Sequence, residues 1–235
     1  MLAMDPKHLF ADERLGCRCV YCGGAPNTRD HVPSKMLLED PLPDNLPVVQ
    51  ACNKCNNAFS ADEEYFACFL ECVLTGATCP ADCRRENIKR KLSEKPLLAS
   101  RVLSSAQNMN GGLVWTPEVD RVRNVVLKLA RGHAAYELSA PQLDEPETIE
   151  FVPLSLLSPE QRDDFETAGD GGLQGWPEIG SRAFFRACGA PPFHDQHGPW
   201  IVVQPGRYRY SVDEDGGVTV RMVVAEYLAC RVVWS

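Results

Sequence analysis

The chain has no long apolar run. A membrane helix needs about 18 consecutive apolar residues, and no stretch of that length occurs in the 235 residues. The first residues, MLAMDPKHLFADERLG, also lack the basic start and apolar stretch of a signal peptide. No internal repeat or low-complexity tract is visible, and 44% hydrophobic with 24% charged residues is an ordinary composition for a folded domain. We therefore expect a cytoplasmic protein that does not associate with membranes.

An excess of positive charge is also missing. The 24 basic and 32 acidic residues give a formal net charge of −8, which argues against a protein that binds any polyanion regardless of sequence. Segment 141–235, with 7 basic and 15 acidic residues, carries all of that charge, so a local basic surface earlier in the chain stays possible. The sequence CRRENIKRK is the best candidate for phosphate contacts, and a solvated helix face is the alternative.

The eleven cysteines, an odd number in a chain with no export signal, argue against a disulfide framework and favour metal binding with buried thiols. Two CxxC pairs lie in a polar segment that has too few apolar residues to fold around its own core. Zn²⁺ takes four thiolates at about 2.3 Å in a tetrahedral arrangement. We predict a structural zinc ion held by Cys19, Cys22, Cys52 and Cys55, with Cys17 as an alternative ligand that the spacing disfavours.

The stretch CFLECVLTGATCPADC leaves a second metal site or a redox pair open, through Cys68, Cys72, Cys79 and Cys83. Cys68 and Cys72 lie on the apolar face of a predicted helix, where a free cysteine commonly acts as a small hydrophobic residue. A thiol-based redox or metal-sensing protein is therefore one alternative function.

Local patterns predict an α+β fold. Ser60 and Glu63 fit a capping box that starts a helix ended by Gly76. Further helices are predicted over 82–95, over 96–108 and over 118–133, the last ended by Gly132. After about residue 148, short β-branched runs predict antiparallel strands, including a hairpin between RYRYSV and VTVRMVV, and 168–199 is predicted as a long loop.

The same patterns divide the chain into two predicted domains. We place a zinc-stabilised N-terminal module in residues 1–76. Residues 77–235 form an α+β domain for which substrate binding and oligomerisation are both open.

Polar residues that a purely structural zinc ribbon does not need lie in the motifs DHVPSK, DNLPVV and CNKCNN. They are Asp30, His31, Asn45 and Asn56. In this order the motifs resemble the HNH endonuclease family in its zinc-ribbon form, whose core is a ββα-metal finger. The resemblance covers residues 19 to about 60, under a fifth of the chain.

The resemblance implies a role for each of these residues. His31 is the general base, and Asp30 and Asn56 are ligands of a catalytic Mg²⁺ or Mn²⁺ ion. Asn45 is a structural residue that pins the loop carrying His31, and the four cysteines hold the zinc.

The sequence departs from the family pattern at two places. Asn45 is separated from Cys52 by a longer connection than in many relatives, and Phe59 stands where a basic residue is common. Asn57 is therefore an alternative to Asn56 as the metal ligand.

General chemistry supports separate roles for the structural zinc ion and for the catalytic ion with its general base. Phosphodiester hydrolysis needs a deprotonated water and a hard cation near the developing charge. A neutral imidazole, with an ordinary pKa of about 6.5, accepts such a proton, and oxygen ligands suit Mg²⁺ or Mn²⁺ whereas thiolates suit zinc. We expect a metal-dependent endonuclease whose partner is nucleic acid, with DNA as the substrate and 5′-phosphate and 3′-hydroxyl products as the resemblance implies. The alternative is a non-catalytic zinc ribbon that binds nucleic acid or protein.

Overall fold

The computed structural model describes residues 16–109, 111–167, 177–189, 198–214 and 216–235. These residues form helices and antiparallel sheets, so the predicted α+β class is confirmed. The strands are β1 (Thr28–His31), β2 (Val48–Ala51), β3 (Ala106–Met109), β4 (Gly112–Trp115), β5 (Thr148–Pro153), β6 (Ile201–Gln204), β7 (Tyr208–Glu214), β8 (Val218–Val224) and β9 (Leu228–Trp234). The helices are α1 (Asn53–Thr75), α2 (Glu86–Glu94), α3 (Pro96–Leu103), α4 (Val119–Leu138), α5 (Pro159–Thr167) and α6 (Arg182–Ala187).

The chain divides into two compact units. The first combines residues up to 58 with 126–235, and the second is 59–125. This division differs from the predicted domains 1–76 and 77–235. Both boundaries of this division fall inside long helices, so α1 and α4 each contain residues of both units.

The first unit contains an antiparallel pair of short strands, β1 and β2, that leads directly into α1. Asp30 of β1 is paired with Val49 of β2, and His31 is paired with Val48. One residue, Cys52, separates β2 from the first residue of α1. The chain segment of the candidate site is therefore arranged in the order strand, strand, helix.

The same unit contains a five-stranded antiparallel sheet with the strand order β5-β9-β8-β7-β6. The predicted hairpin is confirmed, since β7 and β8 pair along their whole length. Alternate residues of β7 and β8 are fully buried, among them Tyr208, Tyr210, Val220 and Met222. Val223 of β8 and Ala229 of β9 are also buried, in a cluster with Leu154 and Phe165, so the sheet has buried residues outside this alternating set.

Helix α1 starts earlier than predicted. Ser60 was expected to cap its first turn but lies inside the helix, which begins at Asn53. The end at Gly76 is confirmed. Gly76 adopts a φ of +68°, and the Ala77 N–H reaches back to the Cys72 carbonyl at 3.1 Å, which is the closing bond of a Schellman motif.

Helix α4 continues past the predicted end at Gly132 as far as Leu138. A Cβ on Gly132 would lie 2.6 Å from Cγ2 of Val32. Glycine is required here because the helix lies against the residue that follows β1, not because the helix ends.

The second unit contains most of α1, the start of α4, α2, α3 and the β3-β4 hairpin. The helix predicted over 82–95 is observed as the shorter α2. The helix predicted over 96–108 ends at Leu103, and β3 follows it. Buried Glu71 accepts the backbone N–H groups of Arg84 and Arg85, each at 2.9 Å, and so fixes the segment that leads into α2.

The predicted loop 168–199 contains helix α6, and its residues 168–176 and 190–197 lie outside the described residues. Within the part of the chain that the structure describes, we found no helix with the length and apolar character needed to cross a membrane.

Candidate metal centre and active site

Four sulfur atoms converge at the base of the β1-β2 hairpin. The Sγ atoms of Cys19, Cys22, Cys52 and Cys55 all lie within 4.8 Å of one another. Sγ of Cys22 is 3.8 Å from Sγ of Cys52, and tetrahedral zinc with ligands at about 2.3 Å requires neighbouring sulfurs about 3.8 Å apart. The predicted cysteines are thus positioned to bind a metal ion, and the spacing is compatible with structural zinc.

The first cysteine pair lies on a tight backbone turn. The Cys19 N–H donates to the Gly24 carbonyl at 2.7 Å, and the Gly23 N–H donates to the Cys19 carbonyl at 2.8 Å. Gly23 has a φ of +72°, a conformation that side chains disfavour. The turn points Cys19 and Cys22 toward one place, and the four-sulfur group contains Cys19 rather than the exposed Cys17.

The second pair is built on the start of α1. Cys52 precedes the helix, and its Sγ accepts the Cys55 N–H at 3.4 Å, as an N-cap side chain does. This hydrogen bond lowers the pKa of Cys52 to about 7, whereas burial raises the pKa of Cys19 and of Cys55. Oδ1 of Asn27 accepts the Asn53 N–H at 2.7 Å and satisfies another free donor of the first turn.

The second set of cysteines does not form a comparable group. Among the described residues, the four sulfurs above are the one His, Cys, Asp and Glu cluster able to hold a metal ion. Buried Cys72 and Cys83 have their Sγ atoms 4.0 Å apart, but the exposed Cys79 donates to Asp82 at 3.0 Å instead. Burial raises the pKa of Cys68 to about 12, so this thiol is held protonated.

Asp30 and His31 are successive residues at the end of β1, and successive side chains of a strand leave on opposite faces. Their burial differs accordingly, since Asp30 is 8% exposed and His31 is half-buried. Oδ2 of Asp30 accepts the Tyr21 hydroxyl at 2.6 Å and lies 2.7 Å from Nζ of Lys128. One oxygen of the predicted metal ligand therefore already has a phenol and an ammonium group as partners.

Of the three asparagines, Asn56 lies against β1. Its Nδ2 donates to the Arg29 carbonyl at 3.4 Å, and it belongs to the first turns of α1. Its neighbour Asn57 is exposed. This contact favours Asn56 over Asn57 as the residue that faces the end of β1.

Asn45 is exposed in the turn before β2, and its side chain has no hydrogen-bond partner among the described residues. The loop after His31 is instead joined to the approach of β2 by the bond from the Val32 N–H to the Pro47 carbonyl, at 2.9 Å. The role of Asn45 in pinning this loop therefore remains an expectation from the resemblance.

A row of buried polar residues on α4 was not predicted. Lys128 and His133 are fully buried, and Glu137 is 1% exposed. The sequence of α4 shows the spacing of its apolar residues. The hydrogen-bond and ion-pair partners of Lys128, His133 and Glu137 come from elements that are distant in sequence. Charged and polar residues within an otherwise apolar helix face were the one available signal.

His133 packs against two tyrosines of strand β7. Its ring is stacked on Tyr210 with centroids 3.7 Å apart, and its Nε2 is 2.9 Å from the Tyr208 hydroxyl. Its Nδ1 has no hydrogen-bond partner among the described residues. Burial, followed by the charge of Lys128, lowers the pKa of His133 well below 6.5, so this histidine is neutral in the folded protein.

Glu137 connects the same helix to two further elements. It accepts the Tyr210 hydroxyl at 2.5 Å and pairs with Arg186 at 2.6 Å. A buried carboxylate with these partners keeps its charge compensated.

The predicted basic patch is largely used within the second unit. Within CRRENIKRK, Lys91 pairs with Glu64 at 2.9 Å, Lys89 lies 3.7 Å from a carboxylate oxygen of Glu86, and Arg85 is buried. Arg84 and Arg90 are exposed. The patch therefore offers fewer basic groups to a phosphate backbone than the sequence indicated.

Comparison of the chain with protein-family models, with curated proteins and with solved structures gave no match in any of the three.

The residues fit the two metals that the resemblance implies to different degrees. Four convergent thiol groups fit zinc. For a catalytic Mg²⁺ or Mn²⁺, Asn56 fits, because its amide nitrogen donates to β1 and its Oδ1 remains as an oxygen ligand. Asp30 fits less well, because its Oδ2 is already paired with Lys128 and accepts the Tyr21 hydroxyl, so an ion on this atom would compete with both groups.

Proposed function

We propose that the protein is a zinc-stabilised, metal-dependent endonuclease that hydrolyses phosphodiester bonds in DNA, with His31 as the general base. One observation carries this proposal. The β1-β2 hairpin runs directly into α1 with the four-sulfur group at its base, and Asn56 at the start of α1 donates to the carbonyl of Arg29, two residues before His31 on the same strand. This strand, strand, helix order supports the ββα-metal finger that the resemblance implies.

The zinc site and the reaction have separate tasks in this proposal. The thiolates fix the hairpin to α1, and metal binding supplies folding free energy that a short polar segment lacks. The imidazole of His31, half-buried at the edge of the hairpin, accepts a proton from the attacking water. Val32, bonded through its N–H to Pro47, holds the backbone that carries the imidazole.

A hydrated Mg²⁺ or Mn²⁺ ion beside His31 would neutralise the charge that develops on the leaving oxygen. Asn56 is the residue that would hold it, together with water and substrate phosphate oxygens, as Mg²⁺ commonly is held. No step of the proposal is assigned to an ion on Asp30. Asn45 keeps its assignment as the middle residue of the motif on the resemblance alone.

The proposal is tested by incubating supercoiled plasmid with the zinc-loaded protein and Mg²⁺ or Mn²⁺. We expect nicked or linear DNA with 5′-phosphate ends, and no cleavage with a chelator that removes Mg²⁺ but leaves the zinc in place. Asn56→Ala is expected to lose activity, while Asn57→Ala, its exposed neighbour, serves as the matched control. Equal activity of the two variants would contradict the role of Asn56, and absence of cleavage by the wild type would contradict the nuclease.

A non-catalytic zinc ribbon that binds nucleic acid or protein is the second candidate. The pairing of Asp30 with Lys128 and Tyr21 favours it, because this carboxylate is engaged in the fold. Such a protein would retard DNA in a gel without cleaving it, and its binding would be unchanged in His31→Ala.

A further inference from the structure

The ion pair between Asp30 and Lys128 lies in the interior of the first unit. Lys128 is fully buried, Asp30 is 8% exposed and Tyr21, which donates to the same Oδ2 atom, is 5% exposed. The Nζ to Oδ2 distance of 2.7 Å is that of a charge-assisted hydrogen bond. A buried ammonium group needs such a partner, because an unpaired buried charge is strongly unfavourable.

The pair conflicts with the role that the resemblance gives to Asp30. A divalent ion on Oδ2 would sit about 2.1 Å from that oxygen, and it would then be closer than about 5 Å to the positive charge of Lys128. The side chains of Asp30 and His31 also leave β1 on opposite faces, so an ion on Oδ2 of Asp30 would lie on the face away from the imidazole.

We propose that the ammonium group of Lys128, and not a divalent ion, neutralises the Asp30 carboxylate. Asp30 is then a positioning residue rather than a ligand of the divalent ion. The pair connects β1 to α4 and holds the strand end that carries His31. This inference rests on the proposed function, because a divalent ion has a role at this site only if the protein is the proposed nuclease. The ion binds without Asp30, at the side of β1 where Asn56 lies.

Binding of Mn²⁺ to the zinc-loaded full chain, followed by the electron paramagnetic resonance signal of free Mn²⁺, tests the proposal without any cleavage. Lys128→Met removes the cation and leaves the Asp30 carboxylate with the neutral hydroxyl of Tyr21 as a partner. We expect its Mn²⁺ affinity to rise by about ten-fold or more over the wild type. We expect the gain to disappear in the double variant with Asp30→Asn.

Lys91→Met is the matched control, since it removes one lysine charge from an ion pair with Glu64 in the second unit. It should leave Mn²⁺ binding unchanged. An equal gain in this variant would show a general charge effect and would overturn the proposal.

The double variant also decides the question if Lys128→Met fails to fold, because it leaves neither charge of the pair unpaired. If Asp30 only positions the strand, the double variant keeps the wild-type Mn²⁺ affinity within about two-fold and regains most of the cleavage that Asp30→Asn alone loses. If Asp30 is a metal ligand, it loses about ten-fold or more of that affinity, which would overturn the proposal. A wild type that does not cleave DNA refutes the nuclease, whereas the Mn²⁺ titrations still report on Asp30.

Discussion

Gly132 of helix α4 and Val32, the residue after strand β1, are in such close contact that a Cβ on Gly132 would lie 2.6 Å from Cγ2 and 2.9 Å from Cγ1 of Val32. A β-branched side chain has few rotamers with which to move away. Val32 directly follows His31, so this contact fixes the backbone of the candidate general base against the buried face of α4.

Gly132→Ala should therefore destabilise the protein. Alanine has the higher helix propensity, by about 1 kcal/mol, but overpacking a close contact costs about 1–3 kcal/mol. We expect a net loss of about 1 kcal/mol in the free energy of unfolding, measured by urea denaturation. Adding Val32→Ala makes room for the new methyl group, so the double-mutant cycle should show a favourable coupling. Additive losses would contradict the proposed contact.

Substitution of a zinc ligand should unfold the β1-β2 hairpin, whereas substitution of the neighbouring Cys17 should not. Cys52→Ser is expected to lose the metal and the fold of the segment around β1 and β2, because it removes a ligand and the sulfur that accepts the Cys55 N–H. Cys17→Ser is the matched control, since Cys17 is exposed and outside the four-sulfur group. Metal analysis should give about one zinc per chain for the wild type and the control. Loss of zinc in both variants would point to a different ligand set.

Buried His133 should make stability depend on pH. Its pKa is lowered in the folded protein, so between pH 6.5 and that lower pKa the unfolded chain binds a proton that the folded protein does not. The stability that a neutral His133 provides is thus fully present above pH 6.5 and falls as the pH decreases, by up to about 1.4 kcal/mol per pH unit.

His133→Gln removes this titration and keeps a polar side chain. The difference in the free energy of unfolding between the wild type and this variant should shrink as the pH falls from about 7 to 5. The zinc thiolates titrate in both proteins and cancel in the difference. A difference that does not change with pH would show that His133 is not held neutral.

The cysteine group could be predicted because its information is local. Two pairs with the same CxxC spacing in a polar segment leave few arrangements for four sulfurs, and the structure brings the same four together. The end of α1 was predictable for the same reason, since Gly76 adopts the left-handed conformation that glycine allows at a helix end.

The start of α1 was predicted wrongly because the capping-box pattern in the sequence is not the cap that the helix uses. Ser60 and Glu63 fit a capping box, but Cys52 already caps the helix through its sulfur, a function that spacing rules for serine and threonine do not include. Gly132 was taken for a helix end because glycine is a common terminator, whereas its reason is a neighbour distant in sequence.

The buried polar residues of α4 could not be predicted because their partners are set by tertiary packing. Lys128 pairs with Asp30, His133 with Tyr208 and Glu137 with Tyr210. A helical pattern places such residues on a face but does not show which strand will supply the partner.

The central claim, that His31 acts as a general base, is tested most directly by the rate of plasmid cleavage by His31→Ala with and without added imidazole. The account predicts a fall of about 10²- to 10⁴-fold relative to the wild type, unchanged zinc content, and partial recovery when imidazole enters the space left at this half-buried position. Cleavage by His31→Ala at the wild-type rate, with the same metal requirement, would contradict it.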